Sequence, residues 1–280
     1  NMTAKVTPTR SHKAGAAEIV KDKKEKEMQG NTKMIAVAGK GGVGKTSLAA
    51  AMVKVLVERY PGRRILAIDA DPAVGLSTAL SVDVQETIDD IRKAVVATVA
   101  DGDTRTALEL LAESEYRIYD AMTECGGFSF IAVGRPESAG CYCRVNNYLK
   151  AVIQLLADNF DYVVIDGEAG IEQINRRVME KVTHLLLVTD SSRKGTQVIQ
   201  TIRKVADELV MYERVGAVVN RGLSAESVML IDTGDIPVLS YIYSDERLAE
   251  ADLKGESILA LPADTELVRG AGEVLDRMGL

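Results

Sequence analysis

The residues able to do chemistry begin at position 39. Gly39-Lys40-Gly41-Gly42-Val43-Gly44-Lys45-Thr46 fits the G-x-x-x-x-G-K-[ST] pattern. Glycines in such a loop let successive backbone N–H groups turn inward around phosphate oxygens, where a side chain would block approach. Lys45 supplies a point charge to the β- and γ-phosphates, and Thr46 offers a hydroxyl to Mg²⁺, with Ser47 next in line. Lys40 is an extra lysine that cannot easily reach the same phosphates once Lys45 fills that place. Three carboxylates close apolar runs further along. Asp69 and Asp71 flank Ala70 after R-I-L-A-I, and Asp166 ends Y-V-V-I-D, where an aspartate can hold a magnesium-bound water. Asn220 ends V-V-N, and its side-chain amide can both donate and accept a hydrogen bond. A turn after a strand would also favour asparagine there.

Cys141-Tyr142-Cys143 is a second kind of chemistry. The pair lies just before an expected helix start, a position that lowers thiol pKa and favours the metal-binding thiolate. Two thiolates cannot complete a four-ligand site, and the remaining candidates are Cys125, His12 and His184. His184 reads as part of a buried strand, His12 lies in a polar arm, and Cys125 reads as structural at a helix end. A two-fold homodimer would bring two Cys-x-Cys pairs together as a Cys₄ site. Ni²⁺ and Zn²⁺ both accept thiolate ligands, and affinity order alone does not choose between them. A [4Fe–4S] cluster on the same four thiolates is the alternative.

These groups need elements to position them. Strand-like and helix-like segments alternate from Met34 onward. Strands are expected at Met34–Ala38, Arg64–Asp69, Phe128–Val133, Tyr162–Asp166, His184–Val188 and Val215–Val219, with a weaker one at Val238–Ile242. Helices are expected from near Thr46 to Pro61-Gly62, over Ser81–Glu124 with a break near Asp101-Gly102-Asp103, over Val145–Asn159, from Lys194 to Met211, and near Thr265–Met278. Apolar strands separated by helices indicate an α/β fold, one P-loop NTPase domain with a mostly parallel sheet and helices on both faces. The domain is expected over 34–280, after a polar extension over 1–33. The first thirty residues hold Lys5, Arg10, Lys13, Lys21, Lys23, Lys24 and Lys26 against Glu18, Asp22, Glu25 and Glu27, a net +3 that leaves −10 for the rest.

Composition narrows the function classes. The 280 residues are 46% hydrophobic and 27% charged, as globular domains are. A net charge of −7 and 4% aromatic content with no Trp argue against a nucleic-acid binder. No apolar run approaches the roughly 18–20 residues that span a bilayer, and no signal-peptide pattern opens the chain. Three cysteines make no disulfide framework, so no membrane association and a cytoplasmic setting are expected.

The K-G-G-V-G-K-T form resembles the deviant Walker A loop of the nitrogenase iron protein, MinD and ParA superfamily. That resemblance implies that Lys40 reaches across a nucleotide-sandwich dimer to the partner's phosphates. It also implies that Asp71 orients or deprotonates the attacking water, that Asp69 belongs to the network around Mg²⁺, and that Asn220 reads adenine. Gly167 to Gly170 would form a switch sensing the γ-phosphate. The superfamily's proline next to aspartate is replaced here by Ile242-Tyr243-Ser244-Asp245. Gly140–Lys150 (G-C-Y-C-R-V-N-N-Y-L-K) with Asp166–Arg177 (D-G-E-A-G-I-E-Q-I-N-R-R) resembles the CooC-type carbon monoxide dehydrogenase accessory ATPases and their acetyl-CoA synthase relatives. This implies an ATP-dependent dimer that carries Ni²⁺ at the paired cysteines and loads a client nickel–iron enzyme. Gln173 and Arg176-Arg177 depart from that family's His and single Arg, which leaves the client open.

Overall fold

Strands buried on both faces cannot alternate polar with apolar residues, and the sheet shows this along its length. His184–Thr189 (H-L-L-L-V-T) is buried at every position, as is Ile65–Asp69. The computed structural model describes residues 32–100, 104–134, 143–167, 178, 181–222, 224–228 and 230–280. The expected extension over 1–33 falls almost wholly outside these.

In chain order the described elements are β1 (Lys33–Gly39), α1 (Lys45–Arg59), β2 (Ile65–Asp69), α2 (Gly75–Leu80), α3 (Ile88–Ala100), α4 (Thr104–Ala121), β3 (Thr123–Cys125) and β4 (Phe128–Ala132). They continue with α5 (Cys143–Ala157), β5 (Tyr162–Asp166), β6 (His184–Thr189), α6 (Arg193–Leu209), β7 (Arg214–Gly222), α7 (Ala225–Val228), β8 (Val238–Tyr243), α8 (Glu246–Lys254) and α9 (Glu266–Met278). One 8-stranded sheet takes the order β3-β4-β2-β5-β1-β6-β7-β8. Every pairing is parallel except β3 with β4. The expected α/β architecture is the one found.

Alternation along β1 sorts the core into two layers. Met34, Ala36 and Ala38 face α3, α4, α5 and α6, whereas Ile35 and Val37 face α1, α2 and α9. Helix α1 is buried on nearly all sides; its Ala49-Ala50-Ala51 run allows close approach to both the sheet and α9. Because the strands run parallel, the carboxyl ends of β1, β2, β5, β6 and β7 share one edge, and the loops that follow them converge there.

Two expectations need correction, and one helix adds to them. The stretch Ser81–Glu124 is not continuous helix apart from one break: α2 ends at Ser81 in the left-handed region, residues 82–87 are irregular, and α3 starts afresh at Ile88. Its start is a reciprocal cap, with Thr87 Oγ1 accepting from Asp90 N and the Asp90 carboxylate accepting from Thr87 N. The expected break at 101–103 lies outside the described residues. Cys125 sits on β3, not at a helix end; Gly126-Gly127 makes a two-residue hairpin loop to β4, with Gly127 at φ 103°. Helix α8 was not anticipated. Asp245 begins it by accepting from Arg247 N, and Gly255 ends it at φ 66°.

Candidate functional site

The phosphate-loop residues Gly39 to Thr46 join β1 to α1 at the carboxyl edge of the sheet. Two glycines are there by necessity. Gly39 has φ 152°, and a Cβ on it would stand 2.1 Å from Val188 O on β6. Gly44 has φ 90°, and its Cβ would stand 2.4 Å from Asn220 Nδ2. The loop is thus threaded between β6 and the end of β7. Lys45 is buried at 7% exposure, and its ammonium donates to Lys40 O at 3.2 Å, folding the side chain over its own loop.

The carboxylates meet beside it. Asp69 and Asp166 are directly opposed in the β2–β5 register, and both are fully buried. Asp69 Oδ2 accepts from Leu76 N at 2.9 Å, and its Oδ1 accepts from Asp71 N at 3.1 Å. It therefore clamps the 70–76 loop that carries Asp71. Burial pushes Asp69 up to about 6 against the lowering effect of those backbone amides. Asp71 is half-buried and holds the turn by accepting from Ala73 N at 2.9 Å.

Asp166 is different. Burial raises it to about 7, tempered by the nearby Thr46 hydroxyl and raised further by the charge of Asp69. Neither of its oxygens makes a hydrogen bond of good geometry among the described residues, so Thr46 is a neighbour and not a bonded partner. A buried carboxylate without donors is costly unless a cation answers it. Asp166, flanked by Thr46 and by the opposed Asp69, fits a hydrated Mg²⁺, an ion that prefers one or two carboxylates and substrate phosphates. Bound there, the ion would neutralise charge on the phosphates.

Two clefts open on this edge. One of about 430 Å³ is lined by Gly41, Gly42, Lys45, Thr46, Asp71 and Arg221. A larger one of about 520 Å³ adjoins it through Gly44, Thr46 and Arg221, and extends past Asn220 to Tyr243 and Asp245. The first has the shape and charge for a polyphosphate, the second for a nucleoside. Asn220 is buried in the wall of the larger cleft; its Nδ2 donates to Val43 O at 2.7 Å and its Oδ1 accepts from Arg221 N at 2.9 Å. The asparagine expected to read a base is seen here buttressing the phosphate loop. Asp245 does not offer a free carboxylate to a base, because it accepts from Arg247 and from Glu266 N, tying α8 to α9.

Sequence reading missed two residues. Asp190 follows β6 and pairs with Lys40; nothing local signals a contact across 150 positions. Arg221 follows V-V-N, and no motif or spacing in the sequence marks it. Of the expected metal ligands, Cys141 lies outside the described residues and Cys143 opens α5. The switch segment is described only at Gly167, whose N–H donates to Val37 O at 3.0 Å. His184 is a buried strand residue, as expected, bound to Thr183 Oγ1 and Met278 O. Among the described residues no three His, Cys, Asp or Glu side chains cluster as a metal site, and no helix is long and apolar enough to cross a membrane.

A parallel sheet with a glycine-rich loop, a buried lysine and strand-end aspartates at its carboxyl edge defines a P-loop nucleotide-binding domain. More narrowly, the chain belongs to the CobQ/CobB/MinD/ParA nucleotide binding domain family, whose model matches residues 34–258. An uncharacterized ATP-binding protein of Methanocaldococcus jannaschii is 33% identical over 250 residues, covering 88% of this chain and 98% of that protein. The carbon monoxide dehydrogenase accessory protein CooC of Rhodospirillum rubrum is 28% identical over 234 residues, covering 80% and 88%. The septum site-determining protein MinD of Pyrococcus horikoshii, solved with Mg-ADP, superposes with a TM-score of 0.61 at 21% identity, covering 88% of this chain and 95% of that one.

Proposed function

We propose that the protein is an ATP-hydrolysing metallochaperone that loads nickel into a nickel–iron enzyme of the carbon monoxide dehydrogenase or acetyl-CoA synthase type. In this reading Gly39–Ser47 and Asn220 hold ATP, Lys45 neutralises the β- and γ-phosphates, and Thr46, Asp69 and Asp166 hold Mg²⁺. Asp71 takes a proton from the attacking water. The bond from the γ-phosphorus to the bridging oxygen breaks, giving ADP and phosphate. Lys40 reaches the partner's phosphates, so ATP closes a homodimer and hydrolysis reopens it. Cys141 and Cys143 from both protomers hold the cargo ion, Ni²⁺ or Zn²⁺, as a four-thiolate site.

The observation that carries this reading is the position of Cys143. It opens α5, which follows β4, and β4 abuts β2 at the edge where Val133 N donates to Asp69 O at 2.8 Å. That chain order, with α5 beginning after the strand that pairs with β2 at Asp69, supports reading the cysteine pair together with the phosphate loop. The 28% identity with a carbon monoxide dehydrogenase accessory protein supports the choice of client. Nickel loading into an apo carbon monoxide dehydrogenase or acetyl-CoA synthase, followed with and without ATP, tests it. Loading is expected to need ATP and both cysteines; loading that proceeds equally without ATP would refute the cycle.

A further inference from the structure

Strand β7 does not end straight. Its pairing with β8 slips between Asn220 and Gly222, and Arg221 takes φ 58°, in the left-handed region. A non-glycine residue persists there only where its surroundings impose it, and such places cluster at binding sites. Here the imposing contacts run in series from the phosphate loop: Val43 O accepts from Asn220, and Asn220 Oδ1 accepts from the Arg221 amide. Arg221, an exposed residue at this kink, lines both clefts, which share only Gly44, Thr46 and Arg221. Several described arginines pair with carboxylates instead, as in Arg117–Glu86, Arg203–Asp207 and Arg247–Asp264. No carboxylate among the described residues pairs with Arg221. With Lys45 it makes the two cations of the phosphate cleft.

We propose that Arg221 is a nucleotide-binding residue that grips the α-phosphate, where the polyphosphate leaves the first cleft and the nucleoside enters the second. The inference rests on reading these clefts as the ATP site. A planar guanidinium fork suits two phosphate oxygens, and an exposed arginine gives up little when it binds them. Asp71 lines only the first cleft, so the reacting γ-end lies away from the junction. Arg221 then sets affinity for ADP and ATP alike and leaves the chemical step alone.

Calorimetric titration with Mg-ADP and a non-hydrolysable ATP analogue tests this on wild type, Arg221→Asn, Arg221→Lys and Lys45→Ala. Asparagine tolerates the left-handed backbone, so it removes the charge and keeps the kink. Arg221→Asn is expected to weaken both nucleotides about tenfold or more, the factor one charge-assisted hydrogen bond supplies. Arg221→Lys, which keeps the charge and loses the fork, should recover only part of the loss; in Arg221→Asn, KM for ATP should rise with kcat unchanged, and Mg-GDP should lose the same factor as Mg-ADP. Unchanged affinity in Arg221→Asn would overturn the inference, and so would a loss confined to adenine nucleotides, which would mark stacking on the base. If wild type binds no nucleotide, the ATP-site reading itself fails. If wild type binds, Lys45→Ala does not and Arg221→Asn binds normally, only the role of Arg221 fails.

Discussion

Lys40 Nζ lies 3.2 Å from Asp190 Oδ2, so the extra lysine of the phosphate loop is tethered within its own protomer. Asp190 is itself fixed, accepting from the Ser192 amide at 3.0 Å and from the Ser192 hydroxyl. Against the upward push of burial, Ser192 and Lys40 hold its carboxyl below the ordinary range. Gly195 leaves the room this needs; a Cβ there would stand 2.3 Å from Asp190 Oδ1. If Lys40 serves the partner's phosphates, Asp190 competes with them. Asp190→Asn is therefore expected to lower the ATP-analogue concentration needed for dimerisation by about two- to fivefold, the factor a half-exposed ion pair of up to ~1 kcal/mol allows. Sedimentation velocity measures it. Lys40→Ala should abolish the dimer and keep nucleotide binding, and a dimer that persists would return Lys40 to a purely local role.

The buried carboxylates make stability depend on pH in a defined direction. Asp69 and Asp166 titrate near 6 and 7 in the folded chain, and near 3.8 when unfolded. The folded state therefore holds protons that the unfolded state has released, and stability falls as pH rises from about 4 to 7. Mg²⁺ needs the deprotonated carboxylate, so stabilisation by Mg-ADP should grow from pH 5.5 to 8. Asp166→Asn should raise the melting point without nucleotide at pH 8 by ~2–4 °C, the shift ~1 kcal/mol gives a domain of this size. It should also remove the Mg²⁺-dependent gain. Thermal denaturation scans across that range check both, and a pH-independent gain would contradict the assignment of Asp166.

The buttressing contacts of Asn220 separate experimentally from the role in base reading proposed for it. Asn220→Ala leaves Val43 O and the Arg221 amide without their partner. The loss is expected to cost about 1–3 kcal/mol of stability with no nucleotide present. Urea denaturation reads this. An asparagine that only read the base would leave stability unchanged and alter affinity alone.

Lys45→Ala and Asp71→Asn should fail differently. The first removes the buried cation of the cleft and is expected to abolish nucleotide binding. The second keeps the loop, since an amide oxygen can still accept from Ala73 N, and should bind ATP while turnover falls by ~10²–10⁴, the range for loss of a general base. Phosphate release and nucleotide titration on both variants distinguish the roles. Normal turnover in Asp71→Asn would remove it from the chemistry.

How much of this was legible in the sequence follows from the range of the forces involved. Two-sided burial writes apolar runs directly into the chain, so Tyr162–Asp166 was read to its ends and the sheet followed. The glycine-lysine spacing of the phosphate loop is equally local. Edge and cap features are weaker signals: three-residue β3 has no room for a periodic pattern, although Gly126-Gly127 between two runs is a hairpin signature that could have found it. Thr87 and Asp90 likewise have the spacing of a reciprocal cap. Partners such as Asp190 for Lys40, or Asn220 for Val43, are set by how strands stack in the sheet, and no local pattern carries them. The left-handed Arg221 is a consequence of a slipped register between β7 and β8, which no run of residue types announces.

The central claim is that the cysteines of two protomers share one metal ion under nucleotide control. Anaerobic equilibrium titration with Ni²⁺, on wild type and on Cys141→Ser, Cys143→Ser and Cys125→Ser, tests it most directly. The account predicts one ion per dimer, metal-promoted dimerisation, and binding lost in either Cys141 or Cys143 variant, since symmetry removes two of four thiolates at once. Cys125→Ser should bind normally, because burial on β3 holds that thiol's pKa up and disfavours the thiolate. One ion per protomer, or binding that survives loss of Cys143, would contradict the shared site.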